Sequence, residues 1–232
     1  MKLEGNKAIC IVKKLLITID GPAGAGKTTV SRALADRLGY RYVDTGALYR
    51  AVALAVKSHQ VDPQDDDQLQ RLCRGLTLRF EEKNGRWRLF LDGQDITDRI
   101  RTPEVTMLAS AVSARPVVRS YLLELQRNLA ADKAAVVEGR DMGTVVFPDA
   151  DVKFFLSASS KSRALRRYEE LKQKSKNPQT LEEVERDMHQ RDKNDSSRKV
   201  APLKAAQNAI VIDSTRLTVN AVVDLMVSHI EK

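Results

Sequence analysis

Apolar residues along this chain fall into short blocks separated by longer stretches with helical spacing. Leu15–Ile19, Tyr40–Asp44, Ala134–Val137, Val152–Leu156 and Ala209–Ile212 each read as a short strand. Between them, Val30, Ala33, Leu34, Arg37 and Leu38 recur at helical spacing, and Gly39 follows as a C-cap. A second helix runs from Ala47 to about Ser58, with Leu48, Ala51, Val52 and Ala55 on one face. Val105, Leu108, Ala109 and Val112 make another. Pro116 opens the next, with Val118, Leu122, Leu125 and Leu129 on its stripe. Charged helices are predicted from Lys161 to Ser175 and from Leu181 to Arg191, with Asn177-Pro178 as the break between them. Val219 to Ile230 closes the chain, with Val222, Val223 and Met226 inside.

One region departs from this rhythm. Val61 to Asp67 is polar and reads as an exposed turn, followed by a short helix to Cys73. Leu76–Phe80 and Trp87–Leu91 then alternate apolar and polar positions around Asn84-Gly85, a hairpin signal. Asp92-Gly93 offers a second turn, and Gln94 to Ile96 a third short strand. The expected fold is therefore α/β: a five-stranded parallel sheet covered by helices on both faces, with a small antiparallel insert. Ligands of such sheets bind at the carboxyl ends of the strands. Here those ends are Gly21, Asp44-Thr45, Glu138 to Asp141, Ser157 to Ser160 and Asp213-Ser214.

The first of these ends carries the clearest chemistry. Gly21, Pro22, Ala23, Gly24, Ala25, Gly26, Lys27 and Thr28 fit G-x-x-x-x-G-K-[ST], between an apolar strand and an amphipathic helix. Glycines let successive N–H groups converge on one anion, Lys27 reaches the outer phosphates, and the Thr28 hydroxyl suits a magnesium ion. The helix N-terminus faces the same phosphates. A nucleoside triphosphate site follows from these residues, but not what is done with the triphosphate.

Composition narrows the remaining choices. The chain has 232 residues, 42% hydrophobic and 30% charged, as in a soluble globular protein with one sizeable core. Cys10 and Cys73 stand far apart without metal-ligand partners and read as inert thiols of a reducing compartment. The first fourteen residues read as a loose tail, not a signal peptide, and no apolar run is long enough to cross a bilayer. A cytoplasmic protein is expected. The net charge is +8, and residues 161–204 supply +5 of it, with 13 Lys/Arg against 8 Asp/Glu. Such an excess suits nucleic acid or nucleotide phosphates, but aromatics at 5% weaken a base-stacking role.

Phosphoryl transfer relies on positioning and charge stabilisation, so arginines opposite the loop are the residues to look for. Arg50, Arg119, Arg140, Arg191 and Arg198 sit at strand ends or in loops, with Arg140 directly after a core strand. Arg163, Arg166 and Arg167 share one helix face, as a flap over phosphates would require. Arg191 to Arg198 reads as a loop too polar for the core, offering Asp192 and Asp195 beside its guanidiniums.

Four strings carry a family resemblance: GPAGAGKT, DTGALYR (Asp44 to Arg50), EGRDMGTVVFPDA (Glu138 to Ala150) and RDKNDSSRKVAPL (Arg191 to Leu203). Together they closely resemble bacterial cytidylate kinases, from about Leu15 to the C-terminus. The last two strings are far more specific than the phosphate loop. The resemblance implies a P-loop kinase with a core at 1–60, 106–160 and 199–232, a monophosphate-binding insert at 61–105 and a helical lid at 161–198. It implies transfer of the γ-phosphoryl of ATP to CMP or dCMP with Mg2+. Gly21 to Thr28 and Thr29 would hold ATP, and Thr28 the metal. Thr45, Ser110, Arg119 and Asp141 would surround the cytosine; Arg50, Arg140 and Arg198 the acceptor phosphate; Arg191 and Asp195 the sugar hydroxyls. Lys27, Arg140, Arg163, Arg166 and Arg167 would act on the transferring phosphates. This chain has Thr45 where the family often has Ser, and Glu138 where Asp is common. ATP and CMP or dCMP are the expected partners, with no nucleic acid, no membrane and a monomeric state.

Overall fold

The computed structural model describes residues 14–83, 86–174 and 179–231. The tail, Cys10 and the turn pairs Asn84-Gly85 and Asn177-Pro178 lie outside the described residues. Five parallel strands form the main sheet: β1 (Leu16–Asp20), β2 (Arg41–Asp44), β6 (Ala135–Glu138), β7 (Val152–Ser157) and β8 (Ile210–Asp213), in the order β2-β6-β1-β7-β8. β3 (Leu78–Lys83), β4 (Arg86–Leu91) and β5 (Gln94–Asp95) make the separate antiparallel sheet.

Alternation along β1 divides the core in two. Ile17 and Ile19 join Val136, Phe154, Leu156 and Ile212 under α1 (Lys27–Leu38) and α8 (Val219–Ile230). Leu16 joins Val43, Ala135 and Val137 on the other face, beside Leu123 and Leu129. A third apolar cluster unites α2 (Thr45–Ser58), α4 (Pro103–Ser113) and α5 (Pro116–Asn128) with the insert. It runs from Leu48 and Val52 through Leu69 and Cys73 of α3 (Asp66–Gly75) to Leu78, Leu89 and Ile96.

Two boundaries differ from expectation, each for a visible reason. α2 starts at Thr45 because the Asp44 carboxylate caps it, accepting from the Ala47 N–H at 3.0 Å, so strand passes directly into helix. Residues Arg191 to Ser197 are not a loop: α7 runs from Leu181 to Ser197, entered through a capping box of Thr180 and Glu183. Its polar last turns are held by the Ser196 and Ser197 hydroxyls, which donate to the carbonyls of Asp192 and Lys193 at 2.7 and 2.6 Å. Nor is the segment all surface, since Asp195 and Arg198 are buried with charged partners. α7 packs with α6 (Ser160–Lys174) around Ala164, Val184 and Met188, and the cluster includes Ala23 of the phosphate loop.

Candidate active site

Strand β1 ends at Asp20, and the chain then turns through glycines that no other residue could replace. Gly21 has φ +148°, and a Cβ there would lie 2.0 Å from the Leu156 carbonyl oxygen. Gly24 has φ +72° and lies against Met188 and Arg163. The loop delivers Lys27 and Thr28 to the floor of a cleft of about 680 Å³, within the usual range for small-molecule sites.

The loop's own side chains are engaged with protein. Lys27 is buried, and its ammonium donates to the Pro22 carbonyl at 2.7 Å. Burial first, and then the charge of Arg140, pulls its pKa well below the ordinary lysine range. The Thr28 hydroxyl donates to the Glu138 carboxylate, 2.9 Å from Oε1 and 3.2 Å from Oε2. Ser214, at the end of β8, donates to the carbonyls of Ala25 and Ser157, each at 3.0 Å. Arg166 in turn donates to the Ser214 hydroxyl and carbonyl at 3.1 and 2.6 Å, so it lies over the loop.

The opposite wall is built on the turn after β6. Asp20 is buried and accepts from the backbone N–H groups of Met142 and Gly143 at 2.9 and 2.8 Å. Those bonds pin a π-helical turn, Met142–Val146, directly after Asp141. Burial raises the Asp20 pKa to about 6, offset in part by the two N–H donors. Asp141 is itself buried and accepts from Arg119 and, at 3.3 Å, from Arg198. Arg140 points the other way, donating from Nε to Asp195 at 3.0 Å. Arg50 pairs with Asp44 at 2.9 Å, joined there by Arg101 at 3.5 Å.

The cleft wall is rich in cations. Lys27, Arg50, Arg101, Arg140, Arg166, Arg167, Arg191 and Arg198 face Asp44, Glu138, Asp141, Glu170 and Asp195. Burial and then the neighbouring Arg140 hold the Arg191 pKa down at about 9. Like charges crowded in this way favour a bound anion. The Ser110 hydroxyl and the Arg50 and Arg191 Nε groups are buried and make no hydrogen bond among the described residues, as polar groups awaiting a ligand would be.

Of the residues singled out from sequence, Ala23 to Thr29, Thr45, Arg50, Ser110, Arg140, Asp141, Arg166, Arg167, Arg191, Asp195 and Arg198 line this cleft. Gly21 and Pro22 do not: the first is packed against β7, and the second presents its carbonyl to Lys27. Arg119 stands behind Asp141 rather than in the wall. Arg163 does not line the cleft either. It is buried, and it donates to the carbonyls of Ala23 and Ala158, both at 3.0 Å, and to Asp192, so it braces the loop against α6 and α7. Thr45 donates its hydroxyl to the Glu138 carbonyl at 2.7 Å, which leaves only its lone pairs for a ligand.

Sequence reasoning passed over Tyr49 and Arg101 as wall residues, and placed Glu138 and Ser214 at ligand-facing strand ends without giving them a binding role. The first was hidden in an apolar helix stripe, and the others sit at element ends where spacing carries no signal. Thr28 and Glu138 also bear on the implied Mg2+. A hydroxyl whose proton is held by a carboxylate keeps its oxygen lone pairs outward, and an all-oxygen donor set suits that ion.

A phosphate loop at the head of a doubly covered parallel sheet, faced across one cleft by an arginine-lined wall, defines a P-loop phosphotransferase. A family model described as cytidylate kinase matches residues 17–232. A cytidylate kinase of Geobacter sulfurreducens is 50% identical over 218 residues, spanning 94% of this chain and 93% of the relative. One of Citrifermentans bemidjiense is 48% identical over 218 residues, with the same coverage of 94% and 93%. Among solved structures, the shikimate kinase from Acinetobacter baumannii in complex with shikimate is 15% identical, with a TM-score of 0.47 and 94% of each chain covered. The chain belongs to the cytidylate kinase family.

Proposed function

We propose that the chain transfers the γ-phosphoryl group of ATP to CMP or dCMP, giving ADP and CDP or dCDP. The observation that carries this reading is the single cleft whose two ends are the phosphate loop and the buried Asp141 site. One end binds a triphosphate by its backbone. The other offers a carboxylate acceptor, held by Arg119 and Arg198, beside the unpartnered Ser110 hydroxyl. A base with an exocyclic amine and a ring carbonyl needs such a mixture of acceptor and donor.

In this reading Arg50, Arg140 and Arg198 hold the acceptor phosphate. Each guanidinium carries five N–H donors, so the bonds to Asp44, Asp195 and Asp141 leave others for the ligand. Arg191 and Asp195 take the sugar hydroxyls. Lys27 exchanges the Pro22 carbonyl for phosphate oxygens, and the anion restores the charge that burial disfavours. Arg166 and Arg167 meet the transferring phosphate from the lid, where they exclude water and offset developing charge. The acceptor phosphate is already ionised, so no side chain need act as its general base. Thr28, its hydroxyl set by Glu138, would hold Mg2+, which would supply positive charge to the phosphate oxygens.

The working units are the core at 1–60, 106–160 and 199–232, the insert at 61–105 and the lid at 161–198. A monomer in the cytoplasm, acting on free nucleotides and without nucleic-acid or membrane partners, completes the proposal. Among the described residues no helix is long and apolar enough to cross a membrane. Coupled ADP release with CMP, dCMP, UMP, AMP and shikimate tests the reading. Turnover led by CMP or dCMP supports it, and turnover led by another acceptor overturns it.

A further inference from the structure

We propose that Tyr42 is a positioning residue that sets the Glu138 carboxylate against the phosphate loop. The proposal rests on the phosphoryl-transfer reading above and adds a residue outside the cleft wall.

The arrangement follows from strand register. β2 and β6 pair in parallel with Tyr42 opposite Val136 and Asp44 opposite Glu138. Side chains two apart on a strand share a face, so Tyr42, Val136 and Glu138 all stand on one side of the sheet. That side is the one α1 covers: Val136 is buried against Val30 and Leu34, with Tyr42 packed at its edge. Glu138 therefore projects toward the first turn of α1, where Thr28 is the second residue of the helix. Tyr42 reaches diagonally along the same face, and its hydroxyl donates to Glu138 Oε1.

One carboxylate oxygen thus takes two hydroxyl donors from opposite directions. Tyr42 holds Oε1 from the sheet, and Thr28 holds it from the loop at 2.9 Å. Oε2 keeps only the longer 3.2 Å contact with Thr28 among the described residues. The phenol therefore fixes a buried, flexible glutamate in one rotamer at the point where loop and sheet meet. The ring is held in turn by the Arg32 guanidinium, 5.1 Å above its centroid. The neighbouring carboxylate, Asp44, is committed to Arg50, Arg101 and the α2 N-terminus, so it does not compete for the phenol. Arm length matters. Glutamate spans from β6 to both Tyr42 and Thr28, whereas aspartate, one methylene shorter, would have to give up one of them.

Tyr42→Phe removes the donor and keeps the ring. The expected result is a fall in kcat of about tenfold to thirtyfold, the scale of one lost hydrogen bond to a charged group. The KM for CMP stays within about twofold because nothing at the Asp141 end has changed. The decisive measurement is a double-mutant cycle with Glu138→Ala, which removes the acceptor that glutamine would keep. If Tyr42 acts through Glu138, Tyr42→Phe costs little further in the Glu138→Ala background. An equal penalty in both backgrounds assigns Tyr42 a merely structural role and overturns the proposal, as does a Tyr42→Phe enzyme with full kcat. Should Tyr42→Phe fail to fold, Glu138→Asp is the second probe. It should show the same kcat loss at retained KM, and unchanged kcat in that variant also overturns the proposal. Wild-type turnover with CMP distinguishes the two levels. An active wild type with an indifferent Tyr42 sinks the positioning role alone, and a wild type inactive on every monophosphate sinks the site reading along with it.

Discussion

The guanidinium of Arg163 donates to the backbone carbonyl of Ala23 at 3.0 Å, tying helix α6 to the phosphate loop. The same side chain reaches Asp192 of α7, so one residue joins α6 and α7 to the loop. Neither contact involves a substrate.

Replacing Arg163 should therefore disturb ATP more than CMP. For Arg163→Ala we expect the KM for ATP to rise about tenfold, on the scale of one lost charge-assisted contact. The KM for CMP should change far less. Lysine cannot reproduce a forked set of donors, so Arg163→Lys should rescue only partly. Steady-state kinetics with each substrate varied decides the matter. An unchanged KM for ATP would dismiss the brace.

Asp141 should discriminate between pyrimidines. Asn at this position keeps the shape but turns an amide toward Arg119 and Arg198, which are themselves donors. We expect kcat/KM for CMP to fall about a hundredfold in Asp141→Asn, and that for UMP less than tenfold. Loss of a buried charge partner should also lower stability by about 3 kcal/mol. Equal losses for the two nucleotides would remove Asp141 from base recognition.

Arg140 is also one half of an ion pair. Its side chain is 20% exposed, whereas that of its partner Asp195 is 5% exposed. Arg140→Ala should abolish most turnover and, because it removes the partner of the buried Asp195 carboxylate, cost about 2 to 3 kcal/mol in denaturant melts. A rate equal to wild type would exclude Arg140 from the phosphate site.

Asp20 links stability to pH. Its folded pKa is about 6 against an ordinary value of 3.8, raised chiefly by burial. The folded state therefore holds this proton more tightly than the unfolded state. The resulting stabilisation is complete below about pH 4 and is lost as pH rises through about 6. Asp20→Asn lacks this dependence. The wild-type advantage over the variant should accordingly shrink between pH 4 and pH 7, by up to about 3 kcal/mol. Parallel urea titrations across that range check it, and an offset independent of pH would refute it.

Most strands and helices were legible because burial on a regular element leaves a period in the chain. Leu48, Ala51, Val52 and Ala55 mark one face of α2, and the alternation before and after residues 84–85 marks the insert. The glycine-rich loop was legible for a related reason, since its backbone conformation admits few residue types. Arg191 to Ser197 misled because polarity normally marks solvent. There, Asp195 is buried against Arg140, a partner 55 residues away.

From the sequence alone came the five strands, the triphosphate loop and the strings that point to a pyrimidine monophosphate. These are local properties, written in spacing and in residue type. Only the tertiary structure decided what each side chain does once there. Arg163 turns from the cleft to grip Ala23 across 140 residues of chain, and Arg119 stands behind Asp141. Tyr42 finds Glu138 across 96 residues, through the register of two parallel strands. Such partners are chosen by which elements the folded core brings into contact, and no periodicity along the chain records that choice.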